Sequence, residues 1–202
     1  MKYIKWKILL ASSVVCLLPI LLGVSLWDRL PDYIAIHFTF NGEPDNFSTK
    51  EFAIFGIPFL MLGFQLLTCI VCDISQKYSE CGKLEIASKW IIPVITVVLQ
   101  TAILGYSLGW DFDMGKVAVI LLGGIFIVTG SFIPDYDKVK NFKVDSETAR
   151  KINRFTGRGM VAFGILFLIS AFLPTIVKVV SFFLLILFAI AGTIYGIIIS
   201  RK

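Results

Sequence analysis

The sequence predicts an all-α membrane protein, a six-transmembrane-helix bundle with a short extracytoplasmic loop of β-hairpin type. Three observations carry that expectation. Of the 202 residues, 57% are hydrophobic and only 16% are charged, whereas a soluble domain uses about 25% Asp, Glu, Lys and Arg. Mean hydropathy is +0.85. The apolar residues run in unbroken blocks without helical or strand period, as bilayer spans do. These features exclude a soluble enzyme, a nucleic-acid-binding domain and a disordered chain. The net charge of +5 takes its meaning from loop placement, and no nucleic acid is implied as a direct partner.

Six blocks free of Asp, Glu, Lys, Arg and His occupy residues 8–27, 52–72, 90–110, 117–134, 159–177 and 179–200. Roughly 17–25 helical residues cross the hydrocarbon core. Only Lys178 separates the last two blocks. A single helix over both would be about twice the core thickness, so the chain is expected to turn at Leu173-Pro174-Thr175, where proline withdraws a backbone donor. The first block has a basic start but no small-residue cleavage site, and is read as a retained helix. The chain divides into a two-span unit, 1–89, with a motif loop at 28–51, and a four-span unit, 90–202, with a basic loop at 135–158. Each loop is too short for an independent domain, which below about 40 residues rarely holds together. No nucleophile–base pair or disciplined metal-ligand set stands out, so the chain is read as non-enzymatic, with no metal and no cofactor.

Orientation follows from Lys and Arg, which cytoplasmic loops accumulate. With the N-terminus inside, fifteen fall on the cytoplasmic side and four outside. Lys2, Lys77 and the cluster Lys138, Lys140 and Lys143 are among the fifteen, as are Arg201 and Lys202. Both termini are expected in the cytoplasm and the loop 28–51 outside. Cys16, Cys69 and Cys72 fall in spans and Cys81 in a cytoplasmic loop, where thiols stay reduced. Cys69-x-x-Cys72 has redox or metal spacing, but buried thiols packing as small hydrophobes account for it better.

The blocks contain no Asp, Glu, Lys, Arg or His, which counts against an ion-coupled transporter. Gln65, Gln100, Thr68, Thr96, Thr101, Thr129, Ser170 and Thr193 read as interhelical hydrogen-bonding groups, or alternatively as a polar path. Gly105-x-x-x-Gly109, Gly192-x-x-x-Gly196, and Gly123-Gly124 with Gly130 have small-residue spacings that let helix backbones approach.

The loop after the first block is the informative one. Ile34, Ile36, Phe38 and Phe40 alternate with Ala35, His37 and Thr39, a strand pattern that ends in the hairpin signal Asn41-Gly42. Pro44 limits the return segment to an edge. Ser48-Thr49-Lys50-Glu51 reads as a capping box in which Ser48 caps the second helix and Glu51 reaches back. Opposite the apolar stripe, His37, Asn41, Glu43 and Asp45 are placed to converge. They fit either turn-stabilising bonds to backbone or a recognition surface on a rigid loop.

The run Leu30-Pro31-Asp32-Tyr33-Ile34-Ala35-Ile36-His37-Phe38-Thr39-Phe40-Asn41-Gly42-Glu43-Pro44-Asp45, followed by Phe47 and Ser48-Thr49-Lys50, resembles the signature of the SdpI family, six-span bacterial immunity proteins of the sporulation-delaying-protein type. Gly130-Ser131-Phe132-Ile133-Pro134, Asn141, Asn153-Arg154 and Gly157 are similar to that family's segment after the fourth span, in a shorter loop. The resemblance implies an integral protein of the bacterial cell membrane that gives immunity to a secreted toxic peptide, or senses it, in some members by holding a transcriptional repressor at the membrane. It implies a functional surface at His37, Asn41, Gly42, Glu43 and Asp45.

In the basic loop, Asp145-Ser146 is expected to cap a helix leading into the fifth span, with Glu147 at its positive end. Arg150, Arg154 and Arg158 recur every four residues with Lys151 beside them, while Ile152 and Phe155 are expected to face lipid. This face suits anionic lipid headgroups or an acidic cytoplasmic partner such as the repressor. A small transporter or permease for a hydrophobic peptide or lipid-like solute is the alternative, with a polar cavity lined by Gln65, Gln100 and Thr101.

Overall fold

The computed structural model of the chain describes residues 4–75, 82–135 and 145–200. Lys2, Lys77, Cys81, Lys138, Lys140, Asn141, Lys143, Arg201 and Lys202 lie outside the described residues. Six helices, α1 (Trp6–Ser25), α2 (Ile57–Ser75), α3 (Gly82–Ser107), α4 (Met114–Phe132), α5 (Ser146–Ser170) and α6 (Thr175–Ser200), are long and apolar enough to cross a membrane. Between α1 and α2, strands β1 (Tyr33–Phe38) and β2 (Pro44–Thr49) pair antiparallel. The architecture is that of a multi-pass membrane protein with one small hairpin.

The helices overrun the apolar blocks. α2 continues past Cys72 through Asp73, and α3 takes in Lys83, Glu85 and Lys89 before its apolar part. The expectation of spans without ionisable groups is therefore wrong. A block ends at the first charge, but the backbone ladder of a helix does not. Likewise α5 is one continuous helix from the basic segment to Ser170. The chain reverses at residues 171–174, as the proline foretells, and α6 starts directly after Pro174. Lys178, expected in that connection, is buried in the first turn of α6.

Two prolines explain two glutamines. Pro93 lies inside α3 and cannot donate to the carbonyl four residues back, that of Lys89. Gln65 of α2 donates Nε2–H to the Lys89 carbonyl at 2.9 Å and to Ser12 Oγ of α1 at 2.7 Å. At the start of α2 the backbone forms a π turn over Phe52–Gly56, with the Ile57 N–H bonded to the Phe52 carbonyl. The Ala53 carbonyl then has only Pro58 in line, which has no N–H. Gln100 of α3 donates to it at 2.6 Å. In lipid each freed carbonyl needs such a partner. The hydroxyls behave otherwise: Thr96, Thr129, Ser170 and Thr193 each bond to a carbonyl of their own helix.

Glycine joins α4 to α5. A Cβ on Gly123 would lie 2.8 Å from the Gly164 carbonyl oxygen, and one on Gly164 would lie 2.7 Å from that of Gly123. Gly130 and Gly157 repeat the reciprocal approach one heptad along, at 2.7 and 2.6 Å. Gly124 faces open space. Gly192 and Gly196 face Phe155 and Ile152 of α5 at ordinary contact distance. Gly105 and Gly109 are not a helix-packing pair. Gly109 (φ +81) donates to the Tyr106 carbonyl and Trp110 to that of Gly105, the Schellman ending of a helix. Gly105 leaves room for the Trp110 and Phe112 rings folded back over it.

The main apolar core, around Leu30, Ile34, Ile54, Leu104 and Met114, sits directly beneath the hairpin. One end of the bundle is thus roofed by β1 and β2.

Candidate functional site

The hairpin is bulged on both strands. Tyr33, Ile34 and Ala35 face Thr49, Ser48 and Phe47 in regular register, but the next pairs are His37 with Asn46 and Phe38 with Pro44. Ile36 and Asp45 are therefore the extra residues. Bulges re-aim side chains, and the strict alternation expected for β1 is lost: Ile34 and Ala35 are both buried and Phe40 is exposed. The same irregularity brings His37 Nδ1 to 2.5 Å from Asp45 Oδ1. An ionised carboxylate only accepts, so the ring N–H is the donor. Both side chains are open to solvent.

Gly42 takes φ +83 and donates to the Thr39 carbonyl, while Thr39 N–H bonds to the Glu43 carbonyl. This is a three-residue turn with a left-handed glycine, the next commonest hairpin after the two-residue forms. The tip rests on the first turn of α4. A Cβ on Gly115 would come within 2.7 Å of the Phe40 carbonyl oxygen, and one on Gly42 within 3.3 Å of the Gly115 nitrogen. Only two glycines permit that contact. Asp113 caps the same turn, accepting from Lys116 N–H at 2.8 Å, and its other oxygen is 3.8 Å from the buried Lys178 ammonium of α6. Phe40 meets Phe182 of α6 with ring centroids 6.0 Å apart.

The other end of the hairpin is held by Lys50. Its ammonium donates to the Trp27 and Leu30 carbonyls at 3.4 Å, faces Asp32, and lies 4.9 Å from the Trp27 ring centroid. The capping box is displaced by one residue. Thr49 Oγ1, not Ser48, accepts from the Phe52 N–H at 3.4 Å, and Glu51 makes no capping bond. Ser48 is paired with Ile34 inside the sheet, so the helix begins one position later than the motif suggests.

Between the hairpin, α3, α4 and α6 lies a cleft of about 640 Å³. Its walls are apolar, with Leu99, Ile103, Ala118 and Leu122 opposite Ile36 and Phe38. The polar groups in its lining are His37, Thr39 and Asp45. Thr39 Oγ1 is shielded from solvent without a hydrogen-bond partner among the described residues. Of the five motif residues singled out, His37 and Asp45 meet at this cleft and Gly42 docks the tip. Asn41 and Glu43 are exposed and do not line it.

At the opposite end the structure assembles a group that the block-by-block reading missed. Lys89 Nζ lies 2.5 Å from both Asp73 Oδ1 and Glu85 Oε1, and all three side chains are buried. Lys5 completes it, its ammonium 2.8 Å from Glu85 Oε2 and its backbone N–H 3.2 Å from Asp73 Oδ2. Glu85 and Lys89 stand four residues apart, the spacing of a helical ion pair, and that was the available signal. Nearer the middle of the bundle, Cys69 accepts from Gln65 at 3.1 Å.

Also at this end, Asp145 accepts from the Glu147 and Thr148 amides at 2.9 Å. Hydrogen bonds from the Thr148 side chain and these amides hold its carboxyl below the usual aspartate range. Lys151, Arg154 and Arg158 line a second cleft against α6, which Arg150 does not join. Phe155, expected to face lipid, stays 38% exposed and is also engaged by α6. Its ring packs between Phe188 and Tyr195 of α6, at 5.3 and 4.9 Å.

A family model matches residues 14–62. The match is to DUF1648, a domain of unknown function found in membrane proteins. The matched segment runs from the middle of α1 through the hairpin and the π turn into α2, so it contains the His37–Asp45 pair and Lys50. No curated protein and no solved structure matches the chain.

Proposed function

We propose that this chain is a non-enzymatic protein of the bacterial cell membrane that gives resistance to, or senses, a secreted membrane-active peptide. The hairpin faces outward and both termini face the cytoplasm. The carrying observation is the cleft under the hairpin, apolar in its walls with a His–carboxylate pair in its lining. Such a site suits the apolar face of an amphipathic peptide, with the polar pair orienting it. The resemblance of the loop to the SdpI signature supports the same reading, as does the strong Lys and Arg asymmetry for the orientation.

Sensing requires the peptide to bind one arrangement of the bundle better than another. The contact sequence for it is short: the hairpin tip rests on α4, α4 is locked to α5 by glycine pairs, and α5 carries the basic segment. A repressor held at the membrane would read the state of that segment.

Expression in a peptide-sensitive bacterium tests the proposal. The wild-type chain is expected to raise survival. Asp45→Ala and Ala118→Trp, which fills the cleft, are expected to abolish the gain at equal membrane abundance. Killing that is unchanged by the wild-type chain sinks it.

A small transporter is the second reading, and the buried Lys89 cluster favours it because intramembrane ionisable groups commonly mark ion and substrate paths. Of the polar cavity expected from Gln65, Gln100 and Thr101, the two glutamine N–H groups are engaged with backbone carbonyls, while their Oε1 atoms are buried without a partner among the described residues. Solute flux in proteoliposomes, lost on Asp73→Asn, would decide for transport.

A further inference from the structure

The second cleft, of about 500 Å³, lies between α5 and α6 at the end of the bundle opposite the hairpin. Its cations come from residues 151–158 of α5. Lys151 is already paired with Glu147 at 2.7 Å. Arg154 and Arg158 are exposed and have no carboxylate partner among the described residues. They are one helical turn apart, and guanidinium forks match phosphate oxygens two at a time. Deeper in, α5 from 159 to 170 and α6 from 179 to 200 carry no charge at all.

The inner wall is apolar and held in place. Phe188 stacks between Phe155 and Phe163, at 5.3 and 5.2 Å, and Gly159 lacks the Cβ that would overlap the Phe188 ring. Ala162 stands open beside it. A ligand that satisfies both halves carries an anionic phosphate at one end and an apolar chain at the other. The apolar half of the cleft matches an acyl chain and offers nothing to the surface of an acidic soluble protein.

We propose that this cleft binds one anionic phospholipid, its phosphate between Arg154 and Arg158 and an acyl chain along the Phe155, Ala162 and Phe188 wall. The site is independent of the peptide-binding reading above. Its chemistry differs from a generic basic surface, because the apolar half contributes and because one lipid is held.

Native mass spectrometry of the full chain in detergent tests it, with added dioleoyl phosphatidylglycerol or phosphatidylcholine as probe. Wild type is expected to retain one phosphatidylglycerol in preference to phosphatidylcholine. Arg154→Gln with Arg158→Gln is expected to weaken retention roughly 30-fold, the effect of two cations facing an anionic lipid. Ala162→Phe, or Ala162→Leu should the larger ring prevent folding, leaves the charges untouched and is expected to weaken it as well. Excess inorganic phosphate is expected not to displace the lipid. Equal retention of the two lipids, insensitivity to the arginine pair, or insensitivity to Ala162 would each overturn the proposal. Displacement by inorganic phosphate would make it a site for the free anion, and binding of an acidic soluble protein in place of lipid would make it a protein dock.

Discussion

Two carbonyl groups without intrahelical donors account for the two glutamines at membrane depth. Gln65 answers the gap left by Pro93, and Gln100 the gap left by the π turn and Pro58. Removing either side chain leaves a buried carbonyl unsatisfied, which costs about 1–3 kcal/mol. Gln65→Leu and Gln100→Leu are therefore each expected to lower stability by that amount in detergent unfolding. Lys89 makes a larger prediction. It neutralises two buried carboxylates, and breaking such a pair one-sidedly costs about 3–5 kcal/mol. Lys89→Met is expected to destabilise the protein on that scale. Adding Asp73→Leu and Glu85→Leu is expected to restore most of it, because apolar replacement of the three buried charges removes their desolvation penalty too and leaves only the partly exposed Lys5 without its partners. If the triple variant is no more stable than Lys89→Met, the cluster has a role other than charge pairing. Sequence alone showed Glu85 and Lys89 at helical spacing, but their burial depends on Asp73 arriving from another helix.

Single elements carry their own tests. Along α4 and α5, Gly123 and Gly130 meet Gly164 and Gly157 backbone to backbone, and overpacking of such a contact costs typically about 1–3 kcal/mol. Gly130→Leu is expected to lower the unfolding midpoint, while Gly124→Leu, facing open space, is expected to leave it nearly unchanged. Equal effects would sink the assignment of the interface. At the start of α5, the cap made by Asp145 should respond to pH. Its carboxyl titrates lower when folded than when unfolded, so the cap's contribution is present above the ordinary aspartate range. It is lost as pH falls through the depressed value. Amide resonances of Glu147 and Thr148 are expected to shift together in that acid window and to lose the transition in Asp145→Ala. The small-residue motifs show where pattern reading succeeds and where it fails at this scale. The spacing Gly105-x-x-x-Gly109 suits helix packing, but a left-handed Gly109 ends the helix there instead, and no spacing rule carries that φ value. The capping box fails for a similar reason: Ser48 is held in the sheet, so Thr49 takes over.

On the scale of the molecule, the hairpin is a roof rather than a free loop. Its tip is seated on α4 through Gly42 and Gly115, its base is pinned by Lys50, and its bulges aim His37 and Asp45 at the cleft. Gly115→Leu would clash with the Phe40 carbonyl and lift the tip. It is expected to raise proteolytic cutting near Asn41 and to abolish any peptide protection while leaving the six helices folded. Protection that survives an unseated hairpin would separate function from this roof. Topology is tested at the same scale. Asn46→Cys is expected to react with a membrane-impermeant maleimide in intact cells, and Thr148→Cys only after lysis. The reverse pattern would place the hairpin inside and end the proposal of an external peptide ligand.

Composition and unbroken apolar runs determined the bundle and its span number, because a hydrocarbon layer about 30 Å thick admits few other ways to satisfy a backbone, and strand alternation ending at Asn41-Gly42 determined the hairpin. Proline and glycine positions determined where the chain turns. Only the tertiary structure decided which groups meet. The His37–Asp45 pair depends on bulges, the Lys89 cluster on three segments distant in sequence, and the second cleft on how α6 leans against α5. Such contacts arise between elements, and hydrophobic pattern along one chain segment carries no record of what another segment brings to face it.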